Sequence, residues 1–368
     1  MQEWGCQAGC GRLRITGMKR LLLALPAIIP VWVLAAEEWH TFTGLNGREL
    51  VGKVLRVNDN SVFIERKTDG RELMVELKQL SEKDVTFLKT SGKSAASAKP
   101  GAPADAANPP GKSASGGLYP RSKDEIRDGI RAIEKRPKPP AVSKEVHKAT
   151  QLLNIYRFLC GVPSEVIADP ECTKGATDAA LACKQNGGLA HTLGHSTDKC
   201  NLSTIGDVIA SVPQYIADSG DNNRDARGHR AWCLNPPMGK TGFGSAGASY
   251  SAMWCMDSSG QSITGTWAYP GKGLFPLEYL QGNAWSVYGT GASGPASKFK
   301  VEVFKLQKRP EQPFPATAEI PGRAVKVTHV STGMNAINFE HEDSNKRGVY
   351  WVRVGGEGVS EGYLVELY

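Results

Sequence analysis

Two histidines carry most of the chemistry that this sequence could perform. His191 stands in GGLAHT, Gly187 to Thr192, and His229 opens GHRAWCLNPPMGKTGFG, Gly228 to Gly244. Two neutral imidazoles and one carboxylate make a workable zinc set that leaves a position open for water. A zinc ion held there would lower the pKa of that water and supply a hydrolytic nucleophile. The plainer reading is a pair of hydrogen-bonded core or cleft histidines. His195 sits in a polar loop and reads as solvent-facing. The segment from Asp218 to Asp225 is rich in oxygen donors but lacks EF-hand spacing. Serine hydrolysis finds no G-x-S-x-G elbow, and cysteine hydrolysis would need a free thiolate.

Six cysteines, Cys160, Cys172, Cys183, Cys200, Cys233 and Cys255, bracket these motifs, and Cys6 and Cys10 lie near the N-terminus. The compartment follows from the N-terminus. Lys19 and Arg20 precede an apolar run, Leu21 to Leu34, that ends in Leu34-Ala35-Ala36. This is the pattern of a cleaved export signal over residues 1–36, and it predicts a secreted, periplasmic or cell-envelope protein. The run is short for a membrane span, Pro26 and Pro30 interrupt it, and no later segment is apolar enough to cross a bilayer. An even number of cysteines in an oxidising compartment predicts three disulfides, with fifteen pairings open. Cys233 and Cys255 fall on segments that read as paired strands, so they are expected to bond. Cys183–Cys200 and Cys160–Cys172 are the companion expectations. A metal cluster is the rival, but no C-x-x-C spacing occurs.

The net charge of +7 drops to about +4 once the leader is removed. Residues 91–140 hold most of that excess, while residues 141–268 are near neutral. A nucleic-acid binder concentrates positive charge on a folded face, so nucleic acid is excluded as a partner. Loose attraction of the linker to anionic cell-wall polymers fits the distribution.

The elements that must position the histidines can be read from periodicity. Residues 37–90 alternate apolar and polar in VGKVLRV, SVFIERK and RELMVEL, with turn residues between, and predict a small β unit. Residues 91–140 are an Ala, Gly, Ser, Pro and Lys tether with one short helix, where Ser122 and Glu125 form a capping box and Ile126, Ile130 and Ile133 share a face. The central domain, residues 141–268, should hold a helix capped by Ser143, an alanine-rich helix over residues 177–183, and a third over residues 204–216. RAWCL and SYSAMWCMD read as strands paired across a glycine-rich turn. Residues 275–368 hold six alternating segments, from AWSVY to YLVEL, and predict a β-sandwich. The fold class is therefore α+β.

The ordered set of motifs resembles the CAP superfamily of cysteine-rich secretory, antigen 5 and pathogenesis-related proteins. The matching residues are Asn154, Tyr156 and Arg157; Gly188 to Thr192; Asn201-Leu202; Gly228-His229-Arg230; Thr241 to Gly244; and a closing segment, Tyr250 to Asp257. The resemblance implies an α-β-α sandwich over the central domain, with a cleft where two histidines and two acids can bind a divalent metal. His191 and His229 match the histidines, and Asp218 matches one acid, as aspartate in place of glutamate. The other acid is replaced by Cys200. Residues Trp39 to Leu88 resemble the Sla-type homology domain, which implies a Src-homology-3-like barrel that binds a protein or peptide.

The expected function is that of an exported, multidomain binding protein of the bacterial envelope type. It would recognise protein, cell-surface or small ligands through the barrel and a degenerate cleft. A metal-dependent hydrolase of peptide or cell-wall material, with zinc on His191, His229 and Asp218, is the second expectation. A lipid or sterol carrier is the third.

Overall fold

The structure is a computed structural model and describes residues 39–45, 47–57, 61–68, 72–91, 117–292 and 294–368. The segment read as an export signal, Cys6, Cys10 and residues 92–116 of the expected tether lie outside the described residues. The protein divides into two units, Met1–Ala106 and Ala107–Tyr368.

In the first unit the alternating segments form an antiparallel sheet in the order β1 (His40–Thr43), β2 (Glu49–Val57), β3 (Ser61–Arg66) and β4 (Glu72–Glu76). Helix α1 (Glu82–Ser91) follows. Phe42, Val62, Ile64, Leu80 and Leu88 form the core. The expected closed barrel is not formed among the described residues. One bridge joins Gly44 to Leu80, and α1 rather than a further strand covers the apolar face. Buried Asp84 pins that helix to β1, accepting from the Thr43 amide at 2.8 Å, the Ser81 hydroxyl at 2.6 Å and the His40 ring at 2.8 Å.

The second unit starts with α2 (Lys123–Glu134), whose Ser122–Glu125 capping box is reciprocal, as the sequence predicts. Ile126 and Ile133 bury against the next helix, so this segment is part of the core rather than of the tether. Helix α3 (Lys144–Leu159) begins at Ser143, whose side chain accepts from the Val146 amide. A two-residue strand, β5 (Ile167–Ala168), precedes α4 (Pro170–Asn186). Asp169 caps α4, Pro170 occupies its first turn, and Gly187 ends it at φ 70°. After β6 (Cys200–Ser203) comes α5 (Val208–Ala217), capped by Asp207 and ended by Asp218 in the left-handed region at φ 44°.

The segment read as the strand RAWCL is helical: α6 spans Gly228–Cys233. Short apolar runs do not distinguish strand from helix by periodicity. The strands that do pair are β6, β8 (Phe243–Ser245) and β9 (Ser251–Trp254), in the order β6-β9-β8. A second two-residue strand, β7 (Lys240–Thr241), pairs with β5. Leu202 and Ala252 share a core with Ala176, Ala179 and Ala180 of α4. Phe243 and Met253 share another with α3 and α5. A helix thus covers each face of the small sheet.

Gly242 and Gly244 do not make the expected turn. A Cβ would lie 2.1 Å from the Thr173 nitrogen at Gly242 and 2.2 Å from the Thr177 nitrogen at Gly244. The glycines let the backbone of β8 lie against that of α4.

The C-terminal strands form two sheets that share one core. The first is β10 (Trp267–Tyr269), β12 (Ala284–Tyr288), β16 (Ala336–His341) and β15 (Val327–Gly333). The second is β11 (Gly273–Phe275), β18 (Val359–Leu367), β17 (Gly348–Gly356), β13 (Lys300–Leu306) and β14 (Gly322–Val325). Trp285, Ile337 and Phe339 from one sheet pack with Val303, Tyr350 and Val352 from the other. The first sheet begins at Trp267, inside the span assigned by sequence to the central domain, and it continues the same core as α3 and α5. The fold class is α+β with several sheets.

Candidate functional site

Helix α4 stops at Gly187, and the loop beyond it carries His191 at the surface. The ring is pinned by its own loop. Its Nδ1 lies 2.8 Å from the Thr197 carbonyl oxygen, and buried Thr197 returns its amide and hydroxyl to the Gly194 carbonyl. A carbonyl oxygen can only accept, so the proton sits on Nδ1 and Nε2 is left free.

His229 stands on the first turn of α6. That helix has no side-chain cap of its own, because Arg227 occupies the N-cap position at φ 47°. The Asp218 carboxylate caps it from the end of α5. Oδ2 accepts from the His229 amide at 2.8 Å and the Arg230 amide at 3.4 Å, while Oδ1 lies 2.9 Å from His229 Nδ1. The proton of this ring therefore also sits on Nδ1. The Asn223 side-chain amide lies 3.2 Å from the same nitrogen.

The two imidazoles meet. Their centroids are 6.5 Å apart at 48°, and Tyr215 lies 5.5 Å from His229. Each ring meets the protein through Nδ1. The His229 side chain is 20% exposed, which leaves it open to a ligand from one side.

Asp218 is brought to the site but in another role. Its side chain is 1% exposed and both oxygens are occupied by α6, so it orients His229 and caps that helix. Cys200 is buried at the α4 face of β6, and burial first, then the Asp198 charge, pushes its thiol up. His195 is exposed at φ 50°. Among the described residues no group of three His, Cys, Asp or Glu side chains could hold a metal ion. The donor set that the resemblance implies for zinc thus reduces to two imidazoles, and the residues present do not fit the ion. The oxygen-rich segment from Asp218 to Asp225 is mostly exposed beyond Asp218 and is tied down at its end. Its Asp225 carbonyl accepts from Ser331 and Asn338, and its carboxylate meets His329 at 2.8 Å.

None of the six cysteines is bonded to another. Cys233 lies on α6 rather than on a strand beside Cys255, which removes the reason for expecting that pair. Burial pushes the thiols of Cys160 and Cys172 up to about 12, and those of Cys233 and Cys255 upward as well.

Arg227 and Glu340 support the site and were not singled out by sequence; Arg230, of the Gly228-His229-Arg230 motif, supports it as a carbonyl-binding group. The last carbonyls of α5 lack partners within the helix, and two guanidinium groups from α6 supply them. Arg230 donates to Ile216 and Ala217, and also to Ala284 and Ser286 on β12. Arg227 donates to the Asp218 carbonyl at 2.6 Å and to Glu340 Oε1 at 2.7 Å. The second Glu340 oxygen takes Arg224 at 2.9 Å. The bond to Arg224 pulls the Glu340 carboxyl below its usual range, against burial, and the charges of Arg224, Arg227 and His329 add to this.

Two concavities are lined by neither His191 nor His229, though Glu340 lines the first. One, about 330 Å³, is lined by Asn283, Thr328, Glu342 and Lys346; the other, about 470 Å³, by Tyr119, Arg121, Lys123 and Arg309. Among the described residues no helix is long and apolar enough to cross a membrane. Compared with protein-family models, curated proteins and solved structures, the chain matches none.

Proposed function

We propose that this is an exported, multidomain binding protein whose central layers are CAP-like and whose groove at His191 and His229 receives a ligand by hydrogen bonding. The N-terminal sheet would serve as a second recognition module for a protein or peptide. The observation that carries the reading is the pair of imidazoles, each locked through Nδ1 and each presenting Nε2. Such a pair accepts hydrogen bonds from hydroxyl or amide donors, the groups that peptides and cell-wall saccharides display. The ordered motifs, the helix on each face of the small sheet and the meeting of the two rings all support the CAP-like assignment. The hydrolase alternative loses its third ligand, because Asp218 is spent on the His229 ring.

Metal analysis with ring spectroscopy tests this. The purified protein should carry no stoichiometric zinc after dialysis. The His191 and His229 ring resonances should move together when short peptides or cell-wall saccharide fragments are added. Stoichiometric zinc that disappears in an H191A/H229A double variant would overturn the reading in favour of the hydrolase. Rings indifferent to the whole ligand panel would remove the groove as a recognition surface.

A further inference from the structure

The His229 ring is held by a chain of contacts that begins on another part of the fold. Glu340 lies on β16, on the face of that strand that carries Ala336 and Asn338, opposite the face that packs Ile337 and Phe339 into the sandwich. From there it meets Arg227, Arg227 meets the Asp218 carbonyl, and the Asp218 carboxylate meets His229 Nδ1. The segment between Asp218 and His229 also rests on this sheet. Ser331 and Asn338 both donate to the Asp225 carbonyl at 2.9 Å. Gly333 passes so close that a Cβ there would lie 2.8 Å from Ala226 Cα.

Two strained residues make these contacts necessary. Asp218 and Arg227 both have positive φ, at 44° and 47°, a region that costs an ordinary residue about 1 kcal/mol or more and persists only where its surroundings over-determine it. The Arg227 side chain is 3% exposed, and a guanidinium so buried needs its anion. Without Glu340 it would turn toward water and release the Asp218 carbonyl. Asp218 would then be free to leave φ 44° and carry its carboxylate away from the ring.

We infer that Glu340 is a positioning residue of the groove, which acts through Arg227 and Asp218 to fix the His229 proton on Nδ1 and keep Nε2 turned to a ligand. The C-terminal sheet is thereby part of the recognition site rather than an appended module. A histidine in water favours the opposite tautomer, with the proton on Nε2, so the sheet sets the hydrogen-bonding sense of the groove: acceptor where a free ring would donate. That sense selects ligands that bring a donor. The inference rests on the groove reading only for what Nε2 faces. The proton position is read without any ligand, so a silent ligand panel and an unmoved proton are separate failures.

The test is imidazole ¹⁵N spectroscopy of the full protein at neutral pH. In the wild type, His229 should show a protonated Nδ1 and an unprotonated Nε2. In Glu340→Ala the Nε2–H form should become the majority, while the His191 ring, held by Thr197, stays as it was. Arg227→Lys, which keeps the charge but has no fork to span both partners, should move His229 the same way. Arg224→Ala removes the other partner of Glu340 without touching Asp218, and should leave the His229 tautomer unchanged. A Glu340→Ala protein with unaltered His229 nitrogens overturns the inference. So does an Arg224→Ala protein that shifts them as far. Should Glu340→Ala fail to fold, Arg227→Lys decides: retention of the Nδ1–H tautomer there overturns it, and its loss upholds it.

Discussion

Asp218 accepts two hydrogen bonds from one residue, the main-chain amide of His229 at 2.8 Å and its ring Nδ1 at 2.9 Å. One carboxylate therefore both starts α6 and aims the imidazole that α6 carries. The substitution Asp218→Asn keeps an oxygen for only one of these bonds and brings an N–H donor against the other. It should cost about 1–2 kcal/mol of stability, the worth of a lost cap and a charge-assisted bond. Urea unfolding measures this. A variant as stable as the wild type would mean that the carboxylate does not cap α6.

The two close-packed glycines and the glycine of the histidine motif should behave oppositely. Gly244→Ala drives a methyl into the backbone of α4 and should destabilise by about 2–3 kcal/mol, the range of overpacked cores. Gly228 has nothing within 4 Å of a built Cβ and lies at the start of α6. Gly228→Ala should be neutral or stabilise by up to about 1 kcal/mol, because alanine restricts the unfolded chain and suits a helix. Parallel thermal melts of the pair check both signs.

His341 makes stability depend on pH. Its ring is packed edge-on against Trp285 at 4.4 Å, and neither ring nitrogen has a hydrogen-bond partner. Burial, opposed by the charge of nearby Asp343, lowers its pKa from 6.5 to about 4. The unfolded chain thus binds a proton that the folded one refuses. This contribution to stability is full above the unfolded value and is lost as pH falls from about 6.5 toward 4, by up to about 3 kcal/mol. His341→Phe should flatten that part of the stability profile. A wild-type profile already flat between pH 7 and 4.5 would contradict the buried neutral ring.

The thiols give a chemical count. Cys172 is partly exposed, and the other five described cysteines are buried. Brief maleimide treatment of the native protein should label Cys172 first, and labelling in denaturant without reductant should modify all six. Three disulfides, the expectation from an exported chain, would instead leave none of the six reactive.

Much of the local structure was legible because its causes are local. The Ser122–Glu125 box, the Ser143 cap and the strands from β12 to β18 follow from side chains within a few positions of one another. RAWCL misled because a helix of six residues leaves no repeat to read. The TGFG segment misled because glycine for a turn and glycine for close approach to a helix look alike until the helix is in place. His191 and His229 could be picked out by residue type. The role of Asp218 could not, since spacing does not say which way a carboxylate faces. Glu340 gave no signal at all. Its contribution arises only when β16 is folded against the turn between α5 and α6.

The guanidinium bonds of Arg227 and Arg230 also limit how the protein can be divided. A fragment that stops after β9 would strip Ala284, Ser286 and Glu340 from two side chains that have no other anchor on that side, and the turn carrying His229 would lose its floor. Attempts to isolate the histidine groove should therefore retain everything from Lys123 to Tyr368. Fragments trimmed at Trp267 should be expected to yield soluble helices at best, with a binding surface that has come undone.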